Sequence, residues 1–149
     1  MIKPFENPIY ITRPIMPDYD ELTRKIEDLY DSRILTNLGP HHALLEQKLR
    51  AFLNVKYLSL FNNATIGLIT ALKALDLPFG SEVITTPFTF AATPHAIVWN
   101  GLKPVFCDIE PRTMTIDPDR IEDLITPHTS AILGVHVYGF PCNVNQISR

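Results

Sequence analysis

The sequence predicts an α/β fold in which a mainly parallel sheet is flanked by helices and preceded by an N-terminal helical arm. Three observations predict it. From Tyr57 onward, short apolar runs alternate with stretches of helical periodicity, the pattern of right-handed crossover units. The 13 prolines fall mainly between these segments and punctuate connections. The first forty or so residues show helical spacing without the alternation, so the chain is expected to divide into an arm, 1–40, and an α/β body, 41–149.

Each element has its own reason. Asp18 followed by Glu21 has the spacing of a capping box, with Leu22, Ile26, Leu29 and Tyr30 on one face, which predicts a helix over 19–31. After the break at Thr36-Asn37-Leu38-Gly39-Pro40, Leu45, Leu49, Phe52 and Leu53 recur at helical spacing and predict a second helix over 42–53. Strands are expected at 57–61, 83–86, 104–107 and 131–137, and helices at 65–75, 94–100 and 119–125. Ala64, Gly67, Ala71 and Ala74 form a stripe of small residues that would let the third helix approach the sheet closely. Gly67 inside a helix costs about 1 kcal/mol relative to alanine, and close packing would account for it. Thr93 is expected to cap the next helix, with Pro94 opening it and Gly101 ending it.

Composition excludes several classes. With 46% hydrophobic and 19% charged residues, the chain has the composition of a globular protein large enough to bury a core. No apolar run has the length of a membrane span and the N-terminus lacks the apolar core of a signal peptide, so no membrane association and a cytoplasmic location are expected. A net charge of −3 offers no basic surface for nucleic acid. Cys107 and Cys142 are far apart, without a CxxC or clustered histidines, and read as reduced thiols rather than a disulfide or metal site. His41-His42 likewise lack further ligands, so no metal site is expected.

Two segments could carry chemistry. At Asn63-Ala64-Thr65 a strand hands over to a helix, whose unpaired N–H groups and dipole suit a phosphate, with the Thr65 hydroxyl beside them. The same turn also reads as a plain N-cap by Asn63. Phe88 and Phe90 flank Thr89 just beyond a strand end, where α/β sheets bind ligands. A ring there could stack on a flat heterocycle, although each phenylalanine taken alone reads as core. His136 and Tyr138 would share a strand face near the same edge, facing the site or buried and hydrogen-bonded. Neither G-x-G-x-x-G nor G-x-x-x-x-G-K-[ST] occurs, so the better-known dinucleotide and P-loop signatures are absent from the sequence.

Taken in order, the Asn-Ala-Thr turn, the small-residue helix, Gly80-Ser81-Glu82-Val83-Ile84, Thr86-Pro87-Phe88-Thr89-Phe90-Ala91-Ala92-Thr93, Gly101-Leu102-Lys103-Pro104-Val105-Phe106-Cys107-Asp108-Ile109 and Val135-His136-Val137-Tyr138-Gly139-Phe140-Pro141 resemble the DegT/DnrJ/EryC1/StrS family of sugar aminotransferases. The resemblance runs from about Leu38 to the end of the chain. It implies part of the large domain of a fold-type I pyridoxal-phosphate (PLP) transferase, with pyridoxal 5'-phosphate as cofactor and nucleotide-linked keto-sugars and an amino-acid donor as substrates. It makes Ala64 and Thr65 the phosphate-binding pair and Phe90 the ring that stacks on the cofactor. Leu38-Gly39-Pro40 falls where the family's N-terminal segment nears the active site.

The family's aspartate for the pyridine nitrogen and its anchoring lysine lie downstream of the Val-His-x-Tyr-Gly segment, and this sequence stops at Arg149. Lys25, Lys48, Lys56, Lys73 and Lys103 have no context resembling that anchor. No catalytic residue is therefore assigned, and this chain alone is expected to be inactive. The alternatives are a non-catalytic, truncated binding module and a fragment of a related keto-sugar dehydratase. If the family's sheet continues downstream, an uncovered edge and helix-packing face predict a homo-oligomer.

Overall fold

A computed structural model describes residues 5–10 and 12–149. By its internal contacts the chain separates into two compact units, Met1–Leu60 and Phe61–Arg149.

The first unit holds α1 (Tyr19–Ser32) and α2 (Pro40–Leu53). The Asp18 carboxylate accepts the Glu21 N–H at 2.9 Å, so α1 begins at the cap its sequence indicates. Arg33 and Asn54, both left-handed, stop the two helices. Pro40 sits at the head of α2, where its missing N–H has no intrahelical acceptor to lose.

The expected strand at 57–61 is absent. Tyr57 (79% exposed) and Phe61 (46% exposed) bracket a stretch that pairs with no strand among the described residues. A strand exists only through a neighbour's hydrogen bonds, and apolar alternation cannot supply that neighbour.

The second unit is built on three short parallel strands, β1 (Glu82–Thr85), β2 (Lys103–Phe106) and β3 (Thr129–Ile132), in the order β2-β1-β3. Val83 pairs with Pro104 on one side and with Ala131 on the other, with a register shift between Glu82 and Val83 against β3. Pro104 can lie in this ladder because β2 is an edge strand. The side chains of β1 alternate between two core clusters. Val83 packs with Leu72, Ala96, Ile97 and Leu102 beneath α3 (Ala64–Ala74) and α4 (Ala92–Trp99), whereas Ile84 packs with Cys107, Ile116, Ile121 and Cys142. Val83, Ile84 and Ile97 have no exposed surface, and each contributes about 1.5–3 kcal/mol by that burial.

Several helix expectations change in detail. Asn63 caps α3 through Oδ1, which accepts the Ile66 N–H at 2.9 Å. Ala64, Ala71 and Ala74 are exposed, so the small-residue stripe does not seat α3 on the sheet; Leu68, Ile69 and Leu72 pack against the core instead. A Cβ at Gly67 would meet only the Phe61 ring at an ordinary 3.6 Å, so packing does not demand glycine there. α4 is preceded by Ala91, not capped by Thr93, whose hydroxyl is turned back to Thr89. At its other end Gly101, φ 73°, donates to Val98 O while Leu102 donates to Ile97 O, the paired bonds of a Schellman stop.

The helix expected at 119–125 is two 3₁₀ turns, Pro118–Arg120 and Glu122–Leu124. Pro127 biases its predecessor toward extended backbone, and the segment left after Pro118 is too short to repay α-helix nucleation. The fourth predicted strand ends at Ile132 rather than 137, because its neighbour β1 ends at Thr85 and leaves nothing to pair with beyond; the chain then turns back at Tyr138-Gly139. A one-turn helix, α5 (Val144–Ile147), capped by Asn143, follows and was not expected from the sequence. Among the described residues no helix is long and apolar enough to cross a membrane.

Candidate functional site

The site lies at the carboxyl end of β1, where one side-chain and two backbone hydrogen bonds lock three segments together. The Thr85 hydroxyl donates to Leu133 O at 2.8 Å, Leu133 N–H donates to Ile84 O at 2.8 Å, and Cys107 N–H donates to Thr85 O at 2.7 Å. Thr85 and Thr86 are fully buried, and for Thr85 these bonds satisfy polar groups that would otherwise cost about 1–3 kcal/mol each. The loop from β1 to α4 is then held short. Thr86 Oγ1 accepts the Phe88 N–H at 3.2 Å, and the Thr89 and Thr93 hydroxyls lie 2.8 Å apart.

This tight loop turns its aromatic side chains outward. Phe90 is 80% exposed and Phe88 39% exposed, so the reading of Phe90 as a core residue fails. A ring held by a short, internally bonded loop is available to a ligand's flat face at little ordering cost.

The opposite wall comes from the chain beyond β3. Val137 and Phe140 exchange two backbone hydrogen bonds, 3.0 and 2.8 Å, across Tyr138 and Gly139, whose φ values are 48° and 88°. Two consecutive positive φ values make this a type I′ turn, with glycine in the second position and a bulky residue in the first, where asparagine is favoured. His136 and Tyr138 therefore do not share a strand face as the alternation suggested. The Tyr138 ring meets Phe88 edge-on, centroids 6.4 Å apart at 74°. His136 Nδ1 accepts the Cys142 N–H at 3.1 Å.

Between the two walls is an open cleft of about 520 Å³, lined by residues 87–90 and 135–138. Its lining is aromatic and apolar, with one imidazole, one threonine hydroxyl and the Tyr138 phenol, and carries no carboxylate. The groups whose ionisation is shifted lie elsewhere: burial pushes the Cys107 thiol up, and the Thr113 hydroxyl holds the Glu110 carboxyl down.

Ala64 and Thr65 are not part of this lining. They are the first residues of α3, where N–H groups have no carbonyl within the helix to donate to. Since α3 leads into the start of β1, and β1 into the start of α4, the heads of α3 and α4 both lie toward the carboxyl edge of the sheet. The structure thus joins Phe90 to residues 135–138 in one cleft and puts Ala64 and Thr65 at the same edge, outside it. Sequence reasoning did not anticipate the Phe88–Tyr138 contact or the Cys142–His136 hydrogen bond. The Tyr138-Gly139 pair was a signal for the turn that creates both.

The profile of the DegT/DnrJ/EryC1/StrS aminotransferase family matches residues 18–149. The dTDP-4-amino-4,6-dideoxy-D-glucose transaminase of Escherichia coli is 53% identical over 141 residues, covering 95% of this chain and 38% of that protein. Among solved structures, DesI in the presence of its TDP-sugar product superposes with a TM-score of 0.84 at 39% identity, covering 97% of this chain and 36% of that one. NtdA from Bacillus subtilis with bound cofactor PMP superposes with a TM-score of 0.78 at 32% identity, covering 96% and 34%. The chain therefore spans less than two fifths of the length of these relatives.

Proposed function

The chain belongs to the DegT/DnrJ/EryC1/StrS aminotransferase family, and we propose that it forms the N-terminal, cofactor-cradling part of a pyridoxal-phosphate-dependent aminotransferase acting on nucleotide-linked keto-sugars with an amino-acid donor. The observation that carries this reading is the cleft itself: a largely exposed Phe90 ring on a short, hydroxyl-braced loop, facing a second wall at the carboxyl end of parallel strands. The relatives' names support the substrate class, since the transaminase from Escherichia coli and the TDP-sugar-bound DesI both concern nucleotide-linked sugars.

The residues present fit a flat, phosphorylated ring. The Ala64 and Thr65 amides, with the Thr65 hydroxyl, would hold the phosphate where the dipole of α3 favours negative charge. Phe90 would cover one face of the ring, a stacking contribution of about 0.5–1.5 kcal/mol beyond area burial. Phe88 and Tyr138, in edge contact, would keep water from the rim. When bound, the cofactor supplies the electron sink for amino transfer. Among the described residues no lysine lines the cleft.

Pyridoxine 5'-phosphate, which has no aldehyde to react with stray amines, tests the reading by calorimetric titration. The wild-type chain is expected to bind it at least about tenfold more tightly than unphosphorylated pyridoxine. Thr65→Ala should erase most of that difference, and Phe90→Ala should weaken both ligands by about fivefold to tenfold. Equal affinity for the two ligands in the wild type would overturn the phosphate assignment. Homo-oligomerisation belongs to the same proposal, supported by exposed Phe79 and Trp99 and by the open edges at β2 and β3. Sedimentation as a monomer at high concentration would count against it.

A further inference from the structure

His136 is the one cleft-lining residue that combines exposure to the cleft with a ring nitrogen already committed elsewhere. A neutral imidazole has one donor and one acceptor nitrogen. Because Nδ1 accepts the Cys142 N–H at 3.1 Å, the proton of the neutral ring resides on Nε2. Nε2 has no hydrogen-bond partner among the described residues. The backbone on both sides is pinned, by Leu133 to Ile84 and Thr85 before it and by the buried Val137 and its turn after it. The acceptor side is pinned too, since Cys142 is anchored in the core cluster with Ile84 and Cys107. The donor is thus fixed in tautomer and position before any ligand arrives, the condition under which a single hydrogen bond adds most to binding.

We propose that His136 is a ligand-positioning residue whose Nε2–H donates to an acceptor oxygen of the molecule seated between Phe90 and Tyr138. The inference rests on the cofactor-cradle reading above and adds a residue to it. That oxygen can come from a hydroxyl on the flat phosphorylated ring or from a sugar lying beside it, and the test separates the two.

His136→Asn keeps an acceptor at the Nδ1 position for Cys142 but removes the outward donor. His136→Gln places an amide N–H near the Nε2 position and gives up the Cys142 contact. Affinities of both variants and the wild type are measured calorimetrically for pyridoxine 5'-phosphate and, separately, for dTDP-glucose. His136→Asn is expected to weaken one of these ligands by about fivefold to tenfold while His136→Gln stays within about twofold of the wild type. The ligand that weakens identifies the source of the oxygen. A merely structural histidine gives the reverse order, with Asn tolerated and Gln harmful, and that order overturns the proposal.

An independent readout needs no ligand: nitrogen NMR of the free wild-type chain should show the neutral Nε2–H tautomer at His136, and an Nδ1–H tautomer overturns the proposal. Binding of the ring ligand by the wild type with unchanged affinity for both ligands in His136→Asn overturns this inference alone. Failure of the wild type to bind either ligand overturns the cradle reading with it.

Discussion

Gly134→Ala perturbs the hinge between the sheet core and the cleft wall, and its consequence can be worked from distances. A Cβ on Gly134 would lie 2.8 Å from Cys142 Sγ and 4.0 Å from Cys142 Cβ. Non-bonded carbon atoms rest at about 3.5–4.0 Å, so the methyl and the sulfur must separate by roughly 1 Å. Cys142 is 6% exposed and packed among Ile84, Ile116 and Ile121, which leaves the sulfur little room to move. Overpacking of this kind costs about 1–3 kcal/mol.

Cys142→Ala removes the clashing atom and leaves only the ordinary 4.0 Å contact. That variant alone should cost about 1 kcal/mol for the small void it leaves. The double variant should then be more stable than the sum of the two losses predicts, by about 1–2 kcal/mol of coupling. Urea unfolding followed by the fluorescence of Trp99, the only tryptophan in the chain, gives all four stabilities. Additivity within about 0.5 kcal/mol would refute the steric reasoning.

Tyr138→Asn should raise stability by about 1 kcal/mol, because asparagine suits the left-handed first position of the type I′ turn, while weakening pyridoxine 5'-phosphate binding through loss of the ring; a thermal melt with a matched titration checks both signs. Cys107, fully buried, has its thiol pKa raised first by burial and then by the charge of Asp117. Its contribution is complete below 9.0 and is lost as pH rises through the higher folded-state value, so urea midpoints should fall above pH 9.0, and less steeply in Cys107→Ala. Glu110 shifts the other way, held down first by the Thr113 hydroxyl, with desolvation the next-largest effect and opposing it, and then by the Arg112 and Thr113 N–H groups. Its contribution is present above 4.5 and is lost as pH falls through the lower folded-state value, so Glu110→Gln should flatten the acid limb of the stability profile.

What the sequence could disclose follows from the range of the forces involved. Asp18 capping α1, Asn63 capping α3 and Gly101 ending α4 are settled by residues within one or two turns, and each stands where local chemistry puts it. The parallel alternation was equally legible, because Val83 and Ile84 are buried on opposite faces of a central strand that has neighbours on both sides. The stretch 57–61 has strand-like residues, yet pairing depends on a partner that no local pattern reveals. The small-residue stripe of α3 misled because spacing identifies a face without saying which way it turns; the leucines and Ile69 took the core.

The candidate site divides in the same way. Phe88 and Phe90 could be picked out beyond a strand end, but their exposure depends on the Thr86 and Thr89–Thr93 hydrogen bonds. Residues 135–138 entered the cleft through a turn with two positive φ values, which the reading of an unbroken strand to 137 concealed.

Amide spectra of the ¹⁵N-labelled chain, titrated with pyridoxine 5'-phosphate, bear on the cradle itself. Ala64, Thr65, Phe90 and His136 are expected to shift together and to saturate with a single Kd, since one molecule would span the head of α3 and the cleft. A footprint confined to the groove around Phe79 and Trp99, or shifts at Phe90 with Ala64 and Thr65 unmoved, would show that the helix head and the aromatic ring do not serve one ligand.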